Sequence, residues 1–264
     1  MLNIPAKVND RISKNIKRYQ KIIAQARNND VNEADTVTIV KDILSAVLGY
    51  DKFSEITSEY VVKRTYCDIA IKKDDDPYIF IEVKAIGINL KDDHTKQALD
   101  YGANAGIEWI ILTNAAQWKI YKVIFSKPIQ SELVYEFDFE ELSPRKSCDI
   151  EMLYYLSKEA TYKSSSKGAL DEFREQKQLL SRYLIGQILL TDDVTNTIRK
   201  MLRRISSNAK VSIEEIKTVL ESEVIKRDIF EDEKASESKK QIRKATRPPA
   251  ATRRKSKEND TNAS

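Results

Sequence analysis

Asp68, Glu82 and Lys84 are the residues of this chain whose types and spacing point most directly to chemistry. Glu82 and Lys84 lie two apart in residues 78–85 (YIFIEVKA), a run that alternates as a β-strand does, so that every second residue shares a face. Ile79, Ile81 and Val83 then enter a core, and Tyr78, Phe80, Glu82 and Lys84 point the other way. Two charges inside an apolar strand are costly unless they are paired or hold something. Residues 65–71 (TYCDIAI) read as a second strand, with Cys67, Ile69 and Ile71 on one face and Tyr66, Asp68 and Ala70 on the other. If the two strands are neighbours, Asp68, Glu82 and Lys84 converge. Two carboxylates and a lysine at one strand bend suit a divalent metal that activates water against a phosphodiester. The plainer alternative is a salt bridge at the end of a sheet.

The elements around these residues have to position them. Residues 9–27 read as a basic amphipathic helix with Ile12, Ile16, Tyr19 or Gln20, and Ile23 at helical spacing. Residues 32–49 read as a helix capped by Asn32 and stopped by Gly49, with Val37, Val40, Leu44 and Val47 as its apolar stripe. Glu33 is in register with that stripe, which makes it either a first-turn acid favoured by the helix dipole or a site residue. Strands follow at 55–62, 65–71 and 78–85, the last two joined by the turn KKDDDP at 72–77, whose aspartates read as solvated. A helix at 93–104 precedes strands at 108–113, 117–123 and 132–137. His94 reads as a helix-start residue. Strands, a helix and further strands indicate an α/β sheet with helices packed on it. After Pro144 the pattern is helical only, at 149–158, 170–190, 193–205 and 212–223, the last opening with the capping box Ser212-x-x-Glu215. From Lys234 the chain turns rich in Lys, Arg, Ser, Ala and Pro and reads as a disordered basic tail.

Composition narrows the function classes. The 264 residues carry a formal charge of +4, but residues 234–258 hold 10 Lys or Arg against 2 Asp or Glu, which leaves 35 basic and 39 acidic residues elsewhere. The basic signal therefore belongs to the tail, and nucleic-acid binding by the folded part needs a local patch. No apolar run is long enough for a membrane span and no signal peptide opens the chain, so a cytoplasmic location is expected, with Cys67 and Cys148 as reduced thiols. Two cysteines and one histidine, widely spaced, do not make a zinc site. No phosphate-cradling G-x-x-x-x-G-K-[ST] loop occurs.

Asp68 and the pair Glu82 and Lys84 form the pattern D-x(13)-E-x-K, with the helical Glu33 before it and Gln97-Ala98-Leu99-Asp100-Tyr101 after it. These residues, followed by EWIILTNAAQWKIY, resemble the PD-(D/E)xK nuclease superfamily. More narrowly, they are similar to the N-terminal nuclease domain of type I restriction enzyme R subunits, over about residues 31–124. The resemblance implies a restriction-endonuclease-like mixed sheet flanked by helices at 31–143, after an N-terminal helix at 1–30 and before a helical region at 149–233 and the tail at 234–264. It implies a Mg²⁺-dependent DNA endonuclease, with Mn²⁺ as a possible substitute. Asp68, Glu82, Glu33 and the carbonyl of Val83 would hold the metal, and Lys84 would orient the attacking water or stabilise phosphate charge. Gln97 and Tyr101, four apart on one helix, would face the site or the DNA backbone, their plain reading being a helix-surface pair. The implied partners are DNA and the helicase, methyltransferase or specificity subunits of a restriction system, with no membrane. Residues 149–233 are unlike a motor core, so the expected protein is a stand-alone or partner-dependent relative. The rival expectation is a DNA-binding or complex-assembly module on a nuclease fold.

Overall fold

The computed structural model describes residues 2–62, 65–163, 168–208, 210–231 and 233–245. The chain divides into two compact units, Met1–Lys177 and Gln178–Ser264.

In the first unit, helices α1 (Ala6–Asn28) and α2 (Glu33–Ala46) precede a single sheet. Its strands are β1 (Ile56–Val62), β2 (Thr65–Lys73), β3 (Asp76–Val83), β4 (Trp109–Thr113), β5 (Gln117–Ile124) and β6 (Gln130–Asp138), in spatial order 1 to 6. All neighbours are antiparallel except β3 and β4, which run parallel with Glu82 opposite Leu112. A parallel step needs a crossover of a dozen or more residues, and helix α3 (Asp92–Ala105) provides it. The result is the mixed sheet flanked by helices that the sequence resemblance implies.

Two cores hold the sheet. The first joins Ile69, Ile71, Ile79, Ile81 and Val83 to Ile12, Ile16 and Ile23 of α1 and Val40 and Leu44 of α2. The second joins Phe80, Ile110 and Leu112 to Ala98 of α3, with Val62 and Cys67. β3 is therefore apolar on both faces up to Glu82, and all five residues of β4 are buried. Each such side chain contributes roughly 1.5–3 kcal/mol through its burial. The stripe of α2 includes Thr36 and Ile43 beside Val40 and Leu44, and Val37 is only half-buried. Asn32 caps α2 by accepting the Asp35 N–H at 2.9 Å. Beyond α2, Gly49 has φ 86° and its α-carbon faces the Arg11 guanidinium so closely that a Cβ would stand 2.6 Å from it. Arg11 in turn donates to the carbonyls of Val47 and Leu48 and to both carboxylate oxygens of Glu159.

Several expected boundaries shift. Asp74 and Asp75 alone join β2 to β3, at φ 53° and 69°. This left-handed two-residue turn matches strand twist, so the turn expected over 72–77 is shorter and its aspartates stay exposed. The helix expected at 149–158 ends sooner, as α4 (Ser147–Tyr155), and a short helix that the sequence pattern does not announce, α5 (Lys158–Tyr162), follows it, capped by Ser157 through the Ala160 N–H. The helix expected at 170–190 is two, α6 (Ala169–Leu179) and α7 (Arg182–Leu189), since Ser181 caps α7 through the Leu184 N–H at 3.2 Å.

The second unit continues with α8 (Asp192–Ile205), α9 (Ile213–Val219), α10 (Asp228–Glu231) and α11 (Glu233–Ala245). Ser212 and Glu215 form the expected capping box at α9. The tail expected to be unstructured from Lys234 is helical as far as Ala245. The correction has a packing reason: α11 lies against α7 with the small residues Ala235 and Ser238 buried. Residues 246–264 lie outside the described residues. No helix among the described residues is long and apolar enough to cross a membrane, and Cys67 and Cys148 are free cysteines.

Candidate active site

The site lies where β2 stops pairing with β3. Regular pairing of these strands ends at Ile69 opposite Ile81. The next residue back, Asp68, uses its side chain in place of its backbone: Oδ2 accepts the Val83 N–H at 2.7 Å. That bond fixes one carboxylate against the strand that carries the other. Beyond Val83 the backbone is held by β4, with the Lys84 N–H donating to the Thr113 carbonyl at 2.8 Å. The Ile86 N–H then donates to Thr36 Oγ1 of α2 at 3.1 Å. Asn114, just past β4, donates to the Ile88 carbonyl at 2.9 Å and accepts the Gln117 N–H at 2.7 Å. Lys84 is thus anchored from two neighbouring elements.

β2 also departs from the expected face pattern. Cys67 lies in the second core, whereas Ile69, two residues on, lies in the first. On β1, Ser58 receives a bond from Lys41 of α2, and Tyr60 packs on Phe80 of the second core. The two strands therefore switch faces together, at Asp68 and the facing Glu59. Glu59 has φ 51°, in the left-handed region, where a non-glycine residue is strained and where strain collects at functional sites. The expectation that Cys67, Ile69 and Ile71 share a face is corrected by this kink, which no glycine announces.

Glu82 is 2% exposed. Its Oε1 accepts from Lys84 Nζ at 2.6 Å, and its Oε2 is buried with no hydrogen-bond partner. Burial pushes the Glu82 carboxyl up to about 7; the bond from Lys84 opposes this, and the nearby Asp68 and Glu33 charges reinforce it. Burial also raises Asp68, against the Val83 N–H and the Lys84 charge, with Glu33 and Glu59 adding repulsion. For Lys84, burial favours the neutral amine, but the Glu82 bond and the surrounding carboxylates outweigh it and raise its pKa, so the ammonium form is held.

Glu33 stands at the exposed start of α2, its Oε2 3.9 Å from Lys84 Nζ. The structure thus gathers Glu33, Asp68, Glu82 and Lys84 into one electrostatic cluster. Glu59, which the sequence reading passed over because it sits in an unremarkable strand, adjoins it. Gln97 and Tyr101 bond to each other, Nε2 to OH at 2.9 Å, and no hydrogen bond or ion pair among the described residues ties either to the carboxylates. His94 accepts the Lys91 N–H at the start of α3, as a helix-start residue does. Among the described residues no group of three or more His, Cys, Asp or Glu side chains is placed to hold a metal ion. Asp68 and Glu82 supply two carboxylates, and Oε2 of Glu82 is buried with no hydrogen-bond partner, open to a cation.

A helix-flanked mixed sheet that sets Asp68 of β2 beside Glu82 and Lys84 at the end of β3 is consistent with a domain of the PD-(D/E)xK nuclease superfamily. The family model described as type I restriction enzyme R protein N terminus (HSDR_N) matches residues 39–136. That stretch runs from within α2 to within β6, includes Asp68, Glu82 and Lys84, and leaves out Glu33. It resembles the N terminus of a restriction-enzyme R protein and so points to a nuclease-like role. No curated protein and no solved structure matches the chain.

Proposed function

We propose that the first unit hydrolyses phosphodiester bonds of DNA with a divalent cation, Mg²⁺ or Mn²⁺, held by Asp68 and Glu82, with the Val83 carbonyl as a further oxygen donor and Glu33 holding a water of the ion. The observation that carries this reading is the buried Oε2 of Glu82, unpartnered beside Asp68 and Lys84. An orphaned buried carboxylate oxygen costs several kcal/mol in desolvation, and a bound cation offsets that cost. Two carboxylates and a carbonyl suit a hard ion that takes oxygen ligands and keeps several waters. When bound, such an ion supplies Lewis-acid activation of water and of the phosphoryl group.

The chain's own residues orient and stabilise. The Val83 N–H aims Asp68, and the anchored backbone at 84–88 aims Lys84. Held as an ammonium, Lys84 stabilises charge developing on the phosphate and is not the group that takes a proton. Gln97 and Tyr101 are assigned to the DNA backbone as a hydrogen-bonded pair. The setting would be a restriction system in the cytoplasm, with any motor, methyltransferase or specificity function supplied by other subunits. One observation favours a second reading, DNA binding or assembly without turnover: no third carboxylate joins Asp68 and Glu82 at metal-holding distance among the described residues. Titration with Mn²⁺, followed by electron paramagnetic resonance, tests the first reading. Wild type should take up the ion, and Asp68→Asn and Glu82→Gln should lose it. Equal uptake by all three proteins would remove the assignment.

A further inference from the structure

We propose that the exposed pair Tyr66 and Val61, on the part of β1 and β2 that β3 does not reach, is a nucleic-acid contact, on which Tyr66, backed by Val61, stacks against a base of the strand entering the site. The inference rests on the reading that this site meets DNA, and it adds the contact that would hold the strand there.

The kink at Glu59 and Asp68 creates the surface. Before it, β1 and β2 face the two cores in the ordinary alternation. Past it the faces are exchanged, so that Val62 and Cys67 are buried in the second core while Val61 and Tyr66 turn outward. Val61 and Tyr66 are direct cross-strand partners, and they are 61% and 59% exposed. Tyr66 is two residues from Asp68 on the same strand, about 7 Å away along an extended chain. β3 no longer pairs with β2 beyond Ile69, so the hairpin extends past the carboxylates as a two-stranded ribbon. A polymer that brings a phosphodiester to Asp68 and Glu82 passes this end.

The size of the patch selects the occupant. Stable protein interfaces bury on the order of 1,000 Å² or more and use a cluster of anchors. One tyrosine backed by one valine is far below that and matches the area of a single base. Stacking on an aromatic ring is tolerant of sequence, because every base has a π-face.

The test measures binding of labelled single-stranded and duplex oligonucleotides to the full chain in EDTA, where no turnover occurs, beside plasmid nicking in Mg²⁺. Tyr66→Ala should weaken single-strand binding roughly 5- to 100-fold, Tyr66→Phe should bind as wild type, and Val61→Ala should have a smaller effect. Because Tyr66 is exposed, the melting temperature of all three should stay that of wild type. Binding by Tyr66→Ala equal to wild type overturns the proposal, as does an equal loss in Tyr66→Phe, which would put the effect on the hydroxyl. If wild type nicks DNA while Tyr66→Ala binds and nicks equally well, this inference fails and the hydrolytic reading stands. If wild type fails to nick but its binding depends on the Tyr66 ring, the inference stands and the hydrolytic reading fails.

Discussion

Replacing Glu82 with Gln should make the protein more stable above neutral pH while disabling the proposed hydrolytic site. Burial raises the Glu82 carboxyl from an ordinary 4.5 to about 7 in the folded protein. Between those values the folded state holds a proton that the unfolded state has lost, so stability falls as pH rises through that window. At 1.36 kcal/mol per unit, the full effect above pH 7 is about 3 kcal/mol. The bond from Lys84 to Oε1 reduces what the substitution recovers, because Gln accepts that bond without its charge; a gain of about 1–2 kcal/mol is the expected net. Urea unfolding at a series of pH values measures it. Wild type should lose stability between about pH 5 and about pH 8, Glu82→Gln should lose less, and the two curves should converge near pH 5. Added Mg²⁺ should restore wild-type stability at high pH and leave Glu82→Gln unchanged. Parallel curves, or a Gln variant less stable than wild type at high pH, would refute the claim that Lys84 compensates the burial of an ionised Glu82 only in part.

Three further outcomes follow from the same geometry. Gly49→Ala should cost about 1–3 kcal/mol, from its left-handed backbone and its contact with Arg11, and the cost should shrink in an Arg11→Ala background, as chemical denaturation of the double mutant would show. Deleting residues 246–264 spares α11 but removes Arg247, Arg253, Arg254, Lys255 and Lys257. The slope of log affinity for DNA against log salt should then fall in magnitude by up to about 4, and an unchanged slope would mean that this segment does not touch DNA. A purified preparation should show no ATP hydrolysis, since the sequence has no phosphate-cradling loop; turnover in a phosphate-release assay would contradict this.

Much of the sheet was legible in the sequence because the signals there are local. Alternation in YIFIEVKA and TYCDIAI placed β2 and β3, and it put Asp68, Glu82 and Lys84 within reach of one another. Asn32 and the Ser212-x-x-Glu215 box marked helix starts by a hydrogen bond that only a short polar side chain makes. The face switch at Asp68 was hidden because it depends on a left-handed Glu59, a conformation that the sequence of a strand does not disclose. The break at Ser181 is hidden because apolar periodicity continues through it, and α5 is too short, at five residues, to show a period of its own. Helix α11 is hidden for the opposite reason: its sequence is Lys- and Ser-rich, and the buried residues it shows are the small Ala235 and Ser238. The buried, unpaired oxygen of Glu82 is a matter of three-dimensional packing and has no counterpart in spacing.

The central claim is that Asp68, Glu82 and Lys84 form a hydrolytic site, and conversion of supercoiled plasmid to nicked or linear DNA tests it most directly. Wild type should convert the plasmid in Mg²⁺ and not in EDTA. Asp68→Ala, Glu82→Ala and Lys84→Ala should each fold and bind DNA but lose turnover by roughly a hundredfold or more. Equal rates for Asp68→Ala and wild type, or cleavage by wild type that persists in EDTA, would contradict the account.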